Sequence, residues 1–196
     1  MRNDVVFLEM VKRAGIPKRY QDVKFGGLET QNPAHDKVVA AVRQWVARFP
    51  YGGDAGSLFI LGDIGTGKTH MACAALLNIM SHCSIEASYQ SSDMLMVAAQ
   101  EAQFESEIIK KFGSVPLLVI DGFDILWGSE YGILVVRNIV ERRIYSGLRT
   151  IFVSNQDVAG LTAIYGSDFM KLAMDGAVIV HCNWSDYRLR SVTRIG

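Results

Sequence analysis

Residues 57–69 read SLFILGDIGTGKT, a short apolar run followed by a glycine-rich loop. Its second part matches the phosphate-binding pattern G-x-x-x-x-G-K-[ST] at every position. Glycines let the main chain approach phosphate oxygens, while successive N–H groups and the following helix N-terminus form a concave anion site. We therefore predict a P-loop for ATP or ADP with Mg²⁺, formed by Gly62, Asp63, Ile64, Gly65, Thr66, Gly67, Lys68 and Thr69. In this loop Lys68 is expected to contact the β- and γ-phosphates, and the Thr69 hydroxyl to ligate Mg²⁺.

The residues around the loop predict alternating strands and helices. An apolar strand at 57–61 precedes the loop, and a helix at 68–80 that is apolar nearly all round follows it. Further strands are expected at 85–89, 117–121, 150–155 and 177–181, and helices at 35–48, 93–112 and 130–145. Residues 1–33 form a polar lead-in broken by glycines and prolines. Buried strands separated by helices predict a five-stranded parallel sheet between two helical layers, a three-layer α/β/α fold.

Composition narrows the class of protein. The chain has 196 residues, 49% of them apolar, and its 20 basic and 20 acidic residues balance. A balanced total neither predicts nor excludes nucleic acid, because a local basic patch fits within it. We find no apolar run of membrane-spanning length and no signal peptide, so we expect no membrane partner. Cys73, Cys83 and Cys182 lack metal-ligand spacing and are interpreted as reduced thiols of a cytoplasmic protein.

Two polar residues end predicted strands beside the P-loop. Asp121 follows the apolar run 117–120 and is expected to hold Mg²⁺ through water, the Walker B role. Asn155 ends the strand at 150–155 and is expected to reach the γ-phosphate or the attacking water. Both residue types are also common turn formers, which is the alternative interpretation.

Segments across 16–190 together resemble the AAA+ module of the DnaC/DnaI-type replicative helicase loaders, with the IstB transposition helpers as relatives. The segments that carry the resemblance are Ile16-Pro17-Lys18-Arg19-Tyr20 with Phe25, the P-loop, 117–121, Val153-Ser154-Asn155 and Asn183-Trp184-Ser185-Asp186-Tyr187-Arg188. The resemblance implies an AAA+ core with little or no lid domain. It also implies ATP-controlled loading of a ring helicase onto single-stranded DNA.

The same resemblance implies roles for individual residues. Asn155 corresponds to sensor 1, and Arg188 to the sensor 2 arginine that touches the phosphates. Ser129 and Tyr131 correspond to single-stranded DNA contacts, and Phe104 to a further DNA-facing aromatic residue. The alternatives are a helix N-cap for Ser129 and simple packing for the two aromatic residues. The basic residues Arg142, Arg143 and Arg149 add positive charge near one helix end or complement its dipole.

Two departures from the family pattern concern hydrolysis. Gly122 stands where AAA+ ATPases carry the glutamate that activates water, and Asp124 is a candidate substitute. The stretch 168–175, which matches the family's arginine-finger helix, contains no arginine, and Lys171 lacks the planar fork of a guanidinium group. General bases contribute about 10²–10⁴-fold and arginine fingers about 10³–10⁵-fold in rate. We therefore expect ATP binding with weak or absent hydrolysis.

A third departure is length. Loaders of this family carry a separate N-terminal helicase-binding domain, whereas 61 residues precede the P-loop here. We assign residues 1–50 to a lead-in segment with a first helix, and residues 51–196 to the AAA+ core. The expectation is a shortened relative, or one whose helicase adaptor is another chain.

Four hypotheses remain open at the level of sequence. The favoured one is a DnaC-like loader or primosome component whose partners are a replicative helicase or another replication protein, single-stranded DNA, and copies of itself or of a related chain. The second is an IstB-like ATPase on duplex DNA, which a preference for duplex would indicate. The third is a degenerate paralogue that acts only as a protein-binding module. A small-molecule kinase is the least supported, because no acceptor site is evident.

Overall fold

A five-stranded sheet forms the middle layer of the structure, a computed structural model that describes residues 2–28, 33–51, 56–102, 104–125 and 129–184. All neighbouring strands pair in parallel, in the order β2-β3-β4-β1-β5. The strands are β1 (Leu58–Gly62), β2 (Ala87–Ser91), β3 (Leu117–Asp121), β4 (Arg149–Ser154) and β5 (Val178–Cys182). This order brings the carboxyl ends of β1, β3 and β4 side by side. The predicted parallel sheet is confirmed.

Helices cover both faces of the sheet, as predicted. They are α1 (Arg2–Arg13), α2 (Pro33–Arg48), α3 (Lys68–Cys83), α4 (Ser92–Glu101), α5 (Glu105–Ser114), α6 (Glu130–Tyr145), α7 (Val158–Tyr165) and α8 (Ser167–Ala173). Side chains of β1 alternate between the two layers, so Leu58 and Ile60 pack with α1–α3 while Phe59 and Leu61 pack with α4–α8. Among the described residues, no helix is long and apolar enough to span a membrane.

The single helix expected at 93–112 is instead two helices, α4 and α5, so the predicted continuity across residues 102–104 was wrong. Helix α4 ends at Glu101, after which Ala102 is extended, and Phe104 is extended at the N-cap of α5. No glycine or proline marks the break. Leu95 of α4 and Phe112 of α5 both bury in the core, so tertiary packing overrides local helix propensity here.

The lead-in is also more ordered than predicted. Helix α1 occupies part of the stretch interpreted as polar and broken, and Val11 and Ile16 lie in the core beside α3. The main-chain N–H of Tyr89 on the edge strand β2 donates to the carbonyl oxygen of Ala14 at 2.6 Å. The lead-in therefore packs on the same face of the sheet as α3.

Arg143 is buried, so it does not supply surface charge at the end of α6. Its guanidinium group donates to the hydroxyl of Thr150 and to the carbonyl oxygens of Phe112, Val115 and Arg149. Burial lowers the pKa of Arg143 to about 9. These bonds tie α5, α6 and β4 together, which makes Arg143 a structural residue rather than a DNA contact.

Candidate nucleotide-binding site

The predicted P-loop connects β1 to α3 and has the geometry of an anion-binding loop. Gly65 and Gly67 adopt left-handed backbone conformations with φ of 83° and 87°, a region that residues with a Cβ rarely occupy. The Thr66 hydroxyl donates to the carbonyl oxygen of Asp63 at 2.8 Å and closes the turn. Gly67 is the N-cap of α3, so the positive end of the helix dipole faces the loop.

Lys68 reaches back from the first turn of α3 into this loop. Its side chain is 6% exposed, and Nζ donates to the carbonyl oxygens of Gly62 and Asp63 at 2.6 Å each. Burial lowers the pKa of Lys68, while the carboxylates of Asp124 and Asp121 oppose that shift. The ammonium group is thus held at the centre of the loop, where it could exchange a carbonyl partner for a phosphate oxygen.

Thr69 and Asp121 meet although 52 positions separate them in the chain. The Thr69 hydroxyl donates to Oδ2 of Asp121 at 2.9 Å. A hydroxyl and a carboxylate side by side, next to a phosphate-binding loop, are the oxygen donors that Mg²⁺ prefers. The side chains present at this position therefore fit a Mg²⁺–nucleotide complex.

A cavity of about 510 Å³ opens where the strands end. It is large enough for a nucleotide, because small-molecule sites span about 300–1,000 Å³. Seven of its 15 lining residues are predicted site residues, and two more, Arg19 and Tyr20, come from the lead-in. The lining residues are Arg19, Tyr20, Ile64, Gly65, Gly67, Lys68, Thr69, His70, Ser91, Asp121, Gly122, Ile125, Val153, Ser154 and Asn155.

Asp124 and Asn155 are bound to each other at the rim of this cavity. The carboxylate of Asp124 accepts from the main-chain N–H of Asn155 at 2.9 Å and from its Nδ2 at 3.4 Å. The side-chain amide of Asn155 is thereby engaged by a neighbouring carboxylate. The structure thus brings together Asp124 and Asn155, two of the three residues for which catalytic roles were expected, the third being Asp121.

Gly122 takes a conformation that a glutamate would adopt only under strain. Its φ is 73°, and an added Cβ would collide with Cδ1 of Ile125. The left-handed turn lets the N–H of Phe123 donate to the carbonyl oxygen of Val153 at 2.9 Å, which pins the loop after β3 to β4. The main chain itself therefore differs from what a glutamate at this position requires.

Sequence reasoning missed two residues that shape the site. The Tyr89 hydroxyl donates to Oδ2 of Asp121 at 2.5 Å, and burial raises the pKa of Tyr89, so this hydroxyl keeps its proton and acts as donor. Trp184 was quoted for the family resemblance without a role. Its Nε1 donates to the carbonyl oxygen of Thr66 at 2.9 Å, and its ring lies 4.3 Å from that of His35. Trp184 thus supports the P-loop from outside.

The residues expected to contact DNA lie elsewhere. The Ser129 hydroxyl accepts from the N–H of Gly132 at 3.1 Å, which makes it the N-cap of α6. Tyr131 is 39% exposed and its hydroxyl donates to the carbonyl oxygen of Ala99 at 3.4 Å, while Phe104 is 58% exposed. None of Ser129, Tyr131 and Phe104 is among the lining residues of the nucleotide cavity.

Two further predictions concern the ends of the site. Arg188, the expected sensor 2 arginine, lies outside the described residues. Lys171, at the expected arginine-finger position, is on α8, where it is largely exposed and pairs with Asp168 at 3.8 Å. Lys171 is absent from the lining of the nucleotide cavity, so any contact with a nucleotide would have to be to that of another molecule.

Comparison with known proteins agrees with the fold. No protein-family model matches the chain. The replicative helicase loader DnaC of Escherichia coli is 27% identical over 183 residues, which cover 91% of this chain and 74% of DnaC. A crystal structure of the DnaC helicase loader superposes with a TM-score of 0.74 at 19% identity and covers 84% of this chain and 99% of its own. A crystal structure of DnaI superposes with a TM-score of 0.73 at 19% identity and covers 88% of this chain and 94% of its own. The resemblance to the DnaC/DnaI-type loaders and the AAA+ fold are confirmed.

Proposed function

We propose that this chain, an AAA+ protein similar to the DnaC/DnaI-type loaders, is an ATP-binding helicase loader or primosome component. The single observation that carries the nucleotide part is the convergence of Lys68, Thr69 and Asp121 on one cavity. The similarity to DnaC along 91% of the chain supports the loader part. The partners are a replicative helicase or another replication protein, and single-stranded DNA.

In this proposal different groups of the chain bind the phosphates and the Mg²⁺ ion of Mg²⁺–ATP. Main-chain N–H groups of the loop and Lys68 Nζ bind the phosphate oxygens, with charge-assisted bonds that are about twice as strong as neutral ones. The Thr69 hydroxyl and a carboxylate oxygen of Asp121 hold Mg²⁺, which supplies positive charge against the β- and γ-phosphates. The Arg19 and Tyr20 side chains line the same cavity from the lead-in.

Hydrolysis in this proposal is slow, and ATP acts chiefly as a conformational ligand. Gly122 offers no carboxylate to activate water, and its positive φ would strain any residue with a side chain that did. Asp124 is the nearest candidate base, but its carboxylate is engaged by Asn155. Without an arginine in 168–175, α8 offers no guanidinium group to a neighbouring molecule.

Single-stranded DNA is proposed to bind at the face formed by α4 and the start of α6. Tyr131 is partly exposed, and an aromatic ring can stack on a base of any sequence. Glu130 neighbours it, and Glu105 and Glu107 follow Phe104, so the local charge does not attract phosphates. Binding at this face is therefore expected to rest on stacking more than on charge.

Two measurements test the proposal. Millimolar ATP with Mg²⁺ should raise the melting temperature of the purified chain, because a ligand that binds only the folded state stabilises it. The replicative helicase of the source cell should be retained by the immobilised chain with ATP and released without it. An unchanged melting curve would contradict the proposed ATP binding. Equal helicase retention with and without ATP would contradict the proposed control of helicase binding by ATP.

A degenerate paralogue that acts as a protein-binding module is the second candidate. Gly122 and the arginine-free stretch 168–175 favour it. It predicts that helicase is retained equally with and without ATP, and that the chain blocks loading by an active loader. The helicase retention experiment therefore separates the two candidates.

A further inference from the structure

Tyr89 contacts the candidate Mg²⁺ site, although nothing in the P-loop pattern concerns it. Its hydroxyl donates to Oδ2 of Asp121 at 2.5 Å, and the Thr69 hydroxyl donates to the same oxygen at 2.9 Å. One carboxylate oxygen thus receives two hydroxyl donors. Asp121 also lines the nucleotide cavity, and both of these bonds leave its other oxygen, Oδ1, unused.

The position of Tyr89 follows from the register of the sheet. Ser91 of β2 pairs with Asp121 of β3, and Tyr89 pairs with Val119. Residues two apart on a strand share a face, so Tyr89 projects on the same side as Asp121, one step further down the sheet. The Tyr89 ring is 8% exposed in the core beneath α3, and its hydroxyl points up at the carboxylate.

The main chain of Tyr89 is also restrained, by a hydrogen bond to the lead-in. Its N–H donates to the carbonyl oxygen of Ala14 at 2.6 Å, so the lead-in borders β2 at this residue. Ring and backbone are both restrained, which fixes the direction of the hydroxyl. A restrained donor of this kind selects one rotamer of the carboxylate it bonds.

We propose that Tyr89 is a positioning residue for the Mg²⁺–nucleotide site: it holds Asp121 so that Oδ1 faces Mg²⁺. The inference rests on the proposed nucleotide binding and adds to it a residue that the P-loop pattern does not include. Hydrogen bonds to metal-ligating groups typically contribute 10- to 100-fold to metal affinity. Tyr89 acts through Asp121 and needs no contact with the nucleotide.

The test compares Tyr89→Phe with Tyr165→Phe. Phenylalanine keeps the ring and removes only the hydroxyl, so the fold is retained. Tyr165 is a matched control, because its buried hydroxyl also donates one short hydrogen bond, to the carbonyl oxygen of Phe123 at 2.7 Å, but on the opposite face of the sheet. The affinity for a fluorescent ATP analogue is measured for each protein with EDTA and with saturating Mg²⁺, beside the melting temperature without nucleotide.

The expected result is specific to Mg²⁺. The quantity compared is the dissociation constant in EDTA divided by that in saturating Mg²⁺. In Tyr89→Phe this ratio should fall by about 10-fold or more towards one, because binding in Mg²⁺ weakens while the affinity in EDTA is unchanged. Tyr165→Phe should lower the melting temperature and keep the parental ratio. If Tyr89→Phe keeps the ratio of the parent chain, the role of Tyr89 is overturned while the proposed nucleotide binding stands. A larger ratio has the same consequence, because it would mean that the hydroxyl competes with Mg²⁺. A parent chain that binds no analogue in either condition overturns the proposed nucleotide binding instead.

Discussion

The two sides of the nucleotide cavity differ in how completely they are built. On the side of the P-loop, Lys68 and Thr69 of α3 and Asp121 at the end of β3 have the side chains and contacts that a phosphate and Mg²⁺ site needs. On the side formed by the loop after β3 and the residue after β4, Gly122 stands where a glutamate was expected, and Asp124 is engaged by Asn155. One side fits binding, whereas the other has no glutamate at position 122 and a candidate base, Asp124, that is already hydrogen-bonded.

The difference shows that binding and turnover depend on separate parts of the fold. Binding requires a loop, a helix N-terminus and three side chains, those of Lys68, Thr69 and Asp121, that lie next to the loop in sequence or in the sheet. Turnover requires a base placed by the turn after β3, and here that turn is left-handed at Gly122. Slow hydrolysis, as proposed above, therefore need not weaken nucleotide affinity.

The largest expected effect is on turnover. A missing general base costs about 10²–10⁴-fold in rate, so the parent chain should release phosphate from ATP at about 0.1 s⁻¹ or less, against about 10 s⁻¹ for a median enzyme. A steady-state phosphate-release assay with and without single-stranded DNA measures this. Lys68→Ala gives the background rate.

Turnover of about 1 s⁻¹ or more that vanishes in Lys68→Ala would contradict the prediction. Asp124→Asn then identifies the base, because loss of that turnover would mean that Asp124 leaves Asn155 and activates water. Asp168→Asn, which changes a fully exposed carboxylate on α8, is the matched control. Gly122→Glu is unsuitable as a rescue, because φ at this position is positive.

The second effect is on nucleotide affinity. Lys68→Ala removes a buried ammonium group from the phosphate loop, and losing one partner of a buried charge pair costs about 2–5 kcal/mol. ATP affinity should therefore fall by about 30-fold or more, as measured by titration calorimetry. Lys171→Ala removes an exposed lysine instead and should bind ATP like the parent. Equal affinity of Lys68→Ala and the parent would show that the loop does not hold phosphate.

The sequence predicted the binding side of the cavity more fully than the catalytic side. The reason is that the binding motif is contiguous in sequence, whereas the contacts of the catalytic side join residues that are far apart in the chain. The P-loop is one contiguous stretch with strong patterning around it, and β3 and α6 have the predicted bounds. The other strands shift by one or two residues, since their ends depend on neighbours. Asp121 was predicted because an acid after an apolar run is a local signal.

The parts that were missed depend on long-range contacts. Tyr89 meets Asp121 only through the register of β2 and β3, and a strand alignment that paired Ser91 with Asp121 would have indicated it. The bond between Asp124 and Asn155 joins residues 31 positions apart. The conformation of Gly122 depends on a contact between the loop after β3 and Val153 of β4. No local pattern predicts these three features.

The third expected effect concerns single-stranded DNA, away from the cavity. Tyr131→Ala should weaken binding of a labelled oligonucleotide by about 1–3 kcal/mol if a base stacks on the ring, as measured by fluorescence anisotropy. ATP affinity should be unchanged, because Tyr131 does not line the nucleotide cavity. Tyr145→Ala is the control, since Tyr145 is 78% exposed at the other end of α6.

The outcome of this experiment also distinguishes functions. Equal oligonucleotide affinity of Tyr131→Ala and the parent would remove Tyr131 from the DNA site. A parent chain that prefers duplex would favour the transposition-helper hypothesis. In both cases the nucleotide predictions stand, because they depend on other residues.

The smallest expected effect is the sharpest test of the separation between the two sides. Burial lowers the pKa of Lys68, and the nearby carboxylate of Asp124 opposes that shift, so the same negative charge is expected to oppose a phosphate bound there. Asp124→Asn removes that charge, while the new amide oxygen still accepts from the main-chain N–H of Asn155. ATP affinity should therefore rise slightly, by less than about 1 kcal/mol, as expected for a screened pair near the surface. Titration calorimetry at low and high salt measures the change, which should shrink as salt screens it. A tenfold loss of affinity would place Asp124 among the binding residues and would end the division of the cavity into a binding side and a catalytic side.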